Sequence, residues 1–590
     1  MTNIKERKSK IMEVQKKTVL KFNIPTLILG LIIFILILAS LLTYLYLTPS
    51  RQKVEPYPDS EQTRLIYEDQ DLGTENTALV EDEVYLSKSF IEKSLDPYIY
   101  YDDQGDYITI TTKNKFFQMQ TDNLTAAVND EERELQFSPK LIQGEPFLPS
   151  DILEELYPIT VQHNQDDNLV LIDNLEKQVL KGYAKENETR VREEPSIRTG
   201  IIESLDKQSK ITIYHQSGDW FFIRTEKGYL GYVQSSDITL DELSIREKHI
   251  EDDDVDPPSR PFGEPINLTW EHVISENPNP NDLPDLPGVN VISPTWFHLQ
   301  DPEGNIVNQA DKSYVNWAHD NDMQVWGLFS NNFDPDLTSE FLEDPEARRN
   351  AIEQILLYSD IYNLDGINLD FENIHIDDRD AYTQFVREIS PFLREQGLVV
   401  SIDVTFISQS ENWSLSYDRH AFSKTVDYIM VMAYDEHWGD SPVAGSVSSL
   451  PWVEENLEEI LSVVPNDQLI LGIPFYTRLW EEEKNDDGSI SVSSSAYGME
   501  QIKNILENND ADITFDDDTK QYYAEYEDND TRYRTWLETE ESIKKRLNLV
   551  HEYNLAGVAS WRRGFEKEEI WEVIKNKMGI PKDPGSKITD

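Results

Sequence analysis

The chain of 590 residues contains no cysteine. That excludes disulfides, cysteine-ligated zinc and a thiolate nucleophile, although it assigns no compartment. Positive charge is also scarce: 53 Lys and Arg stand against 111 Asp and Glu, for a formal net charge of −58. Residues 1–24 hold seven of those cations and only two acids, which leaves the rest of the chain at −63. A surface of that sign repels nucleic acid, whose binding depends on neutralising phosphates, and disfavours docking on acidic membrane surfaces. Metal-ligand spacing is missing too. His298, His319, His375, His420 and His437 fall into no zinc pattern. The run Asp516-Asp517-Asp518 lacks a helix–loop–helix calcium frame and reads as a solvated stretch. Neither a metal nor a cofactor is expected.

Long apolar runs are absent with one exception. Residues 25–47 carry no charge, and 23 residues in a helix rise roughly 35 Å, enough for a hydrocarbon core about 30 Å thick. Tyr44 and Tyr46 sit near its distal end, where interfacial aromatics belong. A cleaved leader would have a shorter apolar core and a small-residue cleavage site, and none follows. The run is therefore expected to be an N-terminal transmembrane helix. The cluster Lys5, Arg7, Lys8, Lys10, Lys16, Lys17 and Lys21 would keep the N-terminus cytoplasmic. The expected location is the cell membrane, single-pass, with everything after residue 47 extracytoplasmic.

What the chain has in quantity is aromatic side chains: 12 Trp, 28 Tyr and 22 Phe. They suffice for several cores, and an aromatic face also suits the C–H face of a sugar ring. The length predicts two to four domains. Residues 1–24 read as a basic tail, 25–47 as the anchor and 48–80 as a polar stalk. Residues 81–180 read as an α+β module, with a helix expected at 149–157. Its stretch Gly144-Glu145-Pro146-Phe147-Leu148-Pro149 resembles the copper amine oxidase N-terminal-like domains. The name implies no copper, because His163 is the only histidine nearby.

Residues 183–240 show short strands broken by turns, which suggests a small all-β barrel. The Val191-Arg192 opening, Gly218-Asp219-Trp220 and Gly228-Tyr229-Leu230-Gly231-Tyr232-Val233 resemble a bacterial SH3-like domain. Such a module either holds a wall peptide or serves as a spacer. Residues 241–263 form an acidic, proline-punctuated linker.

From 264 to 580 apolar runs alternate with helical stretches. Strands are expected at 266–270, 289–293, 324–329, 366–371, 399–404, 428–433, 469–473 and 557–560, with helices at 345–362, 378–396 and 453–463. Eight βα units predict an α/β fold, a closed (β/α)8 TIM-type barrel with its site at the C-terminal strand ends. In the fourth strand, alternation puts Asn368, Asp370 and Glu372 on one face and Ile367, Leu369 and Phe371 on the other. Spacing alone means little, since an acid-x-acid triplet should recur about 20 times by chance in so acidic a chain. Its setting means more. Two carboxylates in an otherwise apolar strand are costly unless bonded or functional, and their proximity keeps one protonated.

The run Asp365-Gly366-Ile367-Asn368-Leu369-Asp370-Phe371-Glu372 resembles the Asp-x-x-Asp-x-Asp-x-Glu signature of glycoside hydrolase family 18. Supporting blocks are Ser293-Pro294-Thr295-Trp296-Phe297, Met432-Ala433-Tyr434-Asp435, Gly472-Ile473-Pro474-Phe475-Tyr476 and Ala559-Ser560-Trp561. The runs at 433–439 and 472–478 are similar to the spore-cortex N-acetylglucosaminidase branch. The resemblance implies a retaining mechanism in which the substrate's 2-acetamido group is the nucleophile. It implies Glu372 as acid/base, Asp370 as the group orienting the acetamide, and Tyr434 as donor to its carbonyl. Asp435 would contact a sugar hydroxyl and Trp561 would floor the reacting sugar. Tyr476, Arg478, Trp438 and Asn368 complete the expected substrate-binding set. Asn368 stands where many members carry Asp, which removes one charge behind Asp370 and makes relayed protonation less available. The expected partner is peptidoglycan or another N-acetylglucosamine polymer; a chitinase and a non-catalytic glycan-binding protein on the same scaffold are the alternatives. Tyr522, Tyr523 and Tyr526 would either wall the cleft or pack an insertion.

Overall fold

The computed structural model describes residues 24–57, 62–103, 105–129, 131–245, 265–485 and 487–580. The basic tail and most of the expected acidic linker lie outside the described residues. Ile24–Leu47 is a helix without a charged residue. Among the described residues, however, no helix is long and apolar enough to cross a membrane. The span expected over 25–47 is therefore not carried by the described structure.

The rest divides into two compact units, one of residues up to 87 with 149–249 and one of 88–148 with everything from 250. In the first unit, Arg64–Tyr67 pairs in parallel with Leu169–Asn174, which pairs antiparallel with Ile159–Asn164. The expected stalk at 48–80 thus already contains sheet. The expected helix at 149–157 is Ser150–Leu156. A seven-stranded antiparallel sheet follows, built from Gln178–Ala184 through Ile238–Ile245. Its alternating apolar side chains, among them Val191, Ile213, Ile223 and Val233, close one core.

The second unit holds the barrel. Its strands are β1 (Ile266–Glu271), β2 (Val291–Leu299), β3 (Gln324–Ser330), β4 (Gly366–Asp370), β5 (Val399–Thr405), β6 (Tyr428–Met432), β7 (Leu469–Pro474) and β8 (Gly557–Trp561). Each pairs in parallel with the next, and β8 pairs with β1 to close the ring. All eight expected strands are present, seven with ends within one residue of the expected bounds and β2 running on to Leu299. Two apolar sets result. Leu268, Trp270, Leu328, Met430 and Ile470 fill the lumen. Ile367, Leu369 and Phe371 pack outward, where the Phe371 ring stacks on Tyr382 at 5.4 Å. The alternation read from the sequence is therefore real, and it turns Asn368 and Asp370 inward.

Two further elements belong to this unit. A five-stranded antiparallel meander from Tyr100–Asp102 to Glu131–Glu134 packs on the barrel helices Pro345–Tyr362 and Arg379–Glu395. Phe116 meets Phe392 at 5.2 Å, and Arg387 covers the Tyr98 ring at 4.7 Å. The expected single module at 81–180 is thus divided between the two units. Between β7 and β8 lies a second five-stranded sheet with the helix Met499–Asn508. There Tyr526 stacks on Tyr533 at 4.7 Å and Tyr523 lies against Trp536 at 5.1 Å, so these tyrosines pack the insertion.

The helices entering and leaving β4 are clamped by a buried ion pair. Arg348 donates to both Glu388 oxygens at 2.8 and 3.0 Å and to the Leu342 carbonyl at 2.6 Å. Glu388→Ala leaves a buried guanidinium uncompensated. It should destabilise the barrel by about 3–5 kcal/mol, read from its denaturant midpoint; a loss below about 1 kcal/mol would contradict the clamp.

Candidate active site

Strand β4 ends at Asp370, and Glu372 stands two residues on, in the loop at the C-terminal mouth. Its backbone is fixed from two sides. The Glu372 N–H donates to Asn331 Oδ1 at 3.0 Å, and Asn331 Nδ2 donates back to the Glu372 carbonyl at 2.8 Å. The Tyr417 hydroxyl donates to the Phe371 carbonyl at 2.9 Å. Such bonding places a carboxyl without consuming its own oxygens, which is how a reactive side chain is preorganised.

Asp370 is 8% exposed, and its Oδ1 has no hydrogen-bond partner. Burial pushes its carboxyl up to about 7. Glu372 is held well above the usual carboxylate range by burial, then by the charges of Asp370, Asp403 and Asp435. Asp403, on β5, is 2% exposed and is raised in the same sense by burial and by Asp370. None of these three carboxyls has an ion-pair partner among the described residues.

Asn368 lies beneath them, fully buried, and does not line the cleft. Trp270 Nε1 and the Ser293 hydroxyl donate to its Oδ1 at 3.0 and 3.2 Å, and its Nδ2 donates to Asp403 Oδ1 at 2.9 Å. Its part is therefore to hold the floor, not to meet a ligand.

Above the carboxyls opens a cleft of about 890 Å³. Eight of the nine residues singled out from the sequence line it: Asp370, Glu372, Tyr434, Asp435, Trp438, Tyr476, Arg478 and Trp561. Asp435 accepts from the Tyr476 hydroxyl at 2.7 Å and from Arg478 at 3.3 Å. Its φ of +61° turns the loop after β6, so that Tyr434 faces the cavity. The Tyr434 and Tyr476 rings meet edge-on at 6.3 Å. Burial raises both hydroxyls well above the usual phenol range, so they remain donors. Trp561 rests on Trp270 at 5.9 Å. Trp270, Phe333, Asp403, Trp413 and Trp452 also line the cleft and escaped sequence reading. For Asp403 a signal existed: an acid at an inward position of the strand 399–404.

Buried carboxyls at the mouth of a (β/α)8 barrel, below an aromatic-walled cleft, stand together with the family and relative matches that define the class: the chain is a glycoside hydrolase. Residues 302–566, which hold six of the eight barrel strands, match the glycosyl hydrolases family 18. Residues 68–172 match the copper amine oxidase N-terminal domain and residues 187–239 the bacterial SH3 domain. The chain is 27% identical over 299 residues to the uncharacterized glycosylase YvbX of Bacillus subtilis, covering 49% of this chain and 84% of that protein. It is 26% identical over 264 residues to the cortical fragment-lytic enzyme of the same organism, covering 44% and 60%. The spore cortex-lytic enzyme SleL of Bacillus megaterium aligns with a TM-score of 0.48 at 18% identity, over 53% of this chain and 74% of that one.

Proposed function

We propose that the chain is a membrane-anchored, extracytoplasmic hydrolase that cleaves β-1,4 bonds after N-acetylglucosamine in peptidoglycan, with retention and with the substrate's acetamide as nucleophile. The observation that carries the mechanism is that Asp370 and Glu372 rise from one strand end, side by side. An enzyme nucleophile or base must face the acid across the scissile bond, whereas here the second carboxyl stands beside the acid. Asp435, one of the further acids that line the cleft with Asp403, Glu436 and Asp440, is engaged by Tyr476 and Arg478.

In this mechanism Glu372 gives its proton to the glycosidic oxygen as that bond breaks. The acetamide oxygen attacks the anomeric carbon, Asp370 accepts from the acetamide N–H, and Tyr434 donates to the acetamide oxygen. Glu372 then removes a proton from the water that opens the ring. Trp561 supports the sugar. Tyr434→Phe should lower kcat by about tenfold or more with little change in KM, because its donor bond strengthens as the oxygen gains charge; equal loss in both would contradict that role.

Peptidoglycan as substrate is supported by the cortical fragment-lytic relative and by the extracytoplasmic topology read from the sequence. The anchor itself rests on the uncharged run at 25–47 and the basic cluster before it. Digesting purified peptidoglycan and chitin oligomers with the detergent-solubilised full chain tests the reading. N-acetylglucosamine at the new reducing end of peptidoglycan is expected. Cleavage of chitin alone would move the substrate to chitin, and no new reducing ends from either would overturn the proposal.

A further inference from the structure

One buried acid in the cleft has no task in this mechanism. The β4–β5 register pairs Leu369 with Ile402, so one step further it sets Asp370 beside Asp403, both on the inward face. Asn368 and Asp403 lie diagonally across the same two strands, joined by the 2.9 Å bond from the Asn368 amide. The amide's direction is forced. The Trp270 indole can only donate, so it takes the Asn368 oxygen, which the Ser293 hydroxyl also meets as donor, and the NH2 is left for Asp403. A carboxylate at 368 would instead turn an oxygen towards Asp403, which is unfavourable without an extra proton between them. Asn368 and Asp403 are thus chemically matched.

We propose that Asp403 is a positioning residue of the hydrolytic reaction: it shares one proton with Asp370 and supplies the carboxylate that position 368 lacks. The proposal rests on the reading of Glu372 as acid and Asp370 as its partner. As Glu372 protonates the leaving oxygen and the acetamide oxygen bonds to the anomeric carbon, the shared proton passes to Asp403. Asp370 is left anionic to accept from the acetamide N–H. When water adds at the anomeric carbon and gives its proton to Glu372, the acetamide is released and the shared proton returns to Asp370. No co-reactant beyond water is needed. The titratable groups bearing on Asp403 are Asp370, Glu372, Tyr382 and Tyr434. The uncharged donors are Asn368 and Trp270. None is a cation, so a proton is what relieves the carboxyl pair.

The test compares the full-length wild type with Asp403→Asn, Asn368→Asp and the swap of both. Asp403→Asn should lower kcat by about tenfold or more with KM within about threefold, and should move the acidic limb of kcat to higher pH. The swap should recover most of the loss together with the wild-type pH profile, and it is the shift of that profile in Asp403→Asn that a merely structural role would not produce. An unchanged kcat profile in Asp403→Asn, or a pH-independent loss that the swap leaves in place, would overturn the proposal. A second measurement needs neither substrate nor a folded variant. Infrared titration of the wild-type carboxyls should show two separated protonation steps for the pair, and a single step would also overturn it. Because that readout is independent of turnover, an inactive wild type with a two-step titration would sink the proposed function and leave the Asp370–Asp403 pair standing.

Discussion

Glu372→Gln is expected to lower kcat by about three orders of magnitude while leaving the fold and glycan binding intact. The amide keeps the shape of the acid but has no proton to give to a leaving alkoxide. Nothing structural depends on the carboxyl, since the bonds to Asn331 are made by the Glu372 backbone. The pH dependence has a definite sign. Burial and the neighbouring acids hold Glu372 well above the ordinary glutamate range, so it is protonated where a free glutamate is not. The wild-type rate should therefore persist to neutral pH and fall as pH rises through that raised value. Residual turnover in Glu372→Gln should lose this basic limb. A variant that retains more than about a tenth of wild-type kcat would remove Glu372 from the acid role.

Asp370→Asn should lower kcat by roughly 100-fold or more and at the same time stabilise the barrel at neutral pH. Burial pushes the folded-state Asp370 up to about 7, whereas an unfolded aspartate titrates near about 4. Between those values the unfolded chain gives up its proton and the native state keeps it, so the wild type loses stability as pH rises from about 4 to 7. An asparagine has no proton to lose. The melting midpoint of the variant should exceed that of the wild type at pH 7, by roughly 2–4 °C for each kcal/mol relieved, and the two should converge near about pH 4. A variant less stable than the wild type at pH 7 would show that the Asp370 carboxylate is stabilised in the native state. Reduced activity with increased stability is the usual sign of a strained functional group.

The barrel was legible because its signal is local. Parallel strands covered on both faces are nearly continuous apolar runs, and each of the eight was visible as such. The β4 alternation placed Asp370 inward and Phe371 outward without reference to any other segment. Less was legible where a segment's neighbours are remote in sequence. Residues 81–180 have one compositional character, yet the meander at 100–134 packs on barrel helices some 250 residues later. Asn331, Tyr417 and Trp270 carry no motif. Their importance lies in single hydrogen bonds that only the closed barrel brings within reach.

By itself, the sequence determined the eight-stranded barrel, the strand that carries the acids and eight of the residues that line the cleft, because strand alternation and apolar runs are properties of adjacent residues. Only the tertiary structure decided the electrostatic state of the site. From the sequence, Asn368 removes a charge behind Asp370. In the folded chain β5 restores one, since Asp403 lies beside Asp370 and accepts from the Asn368 amide. The acidity of a buried carboxyl depends on desolvation and on charges a few ångströms away, and those distances exist only once the strands have closed into a ring.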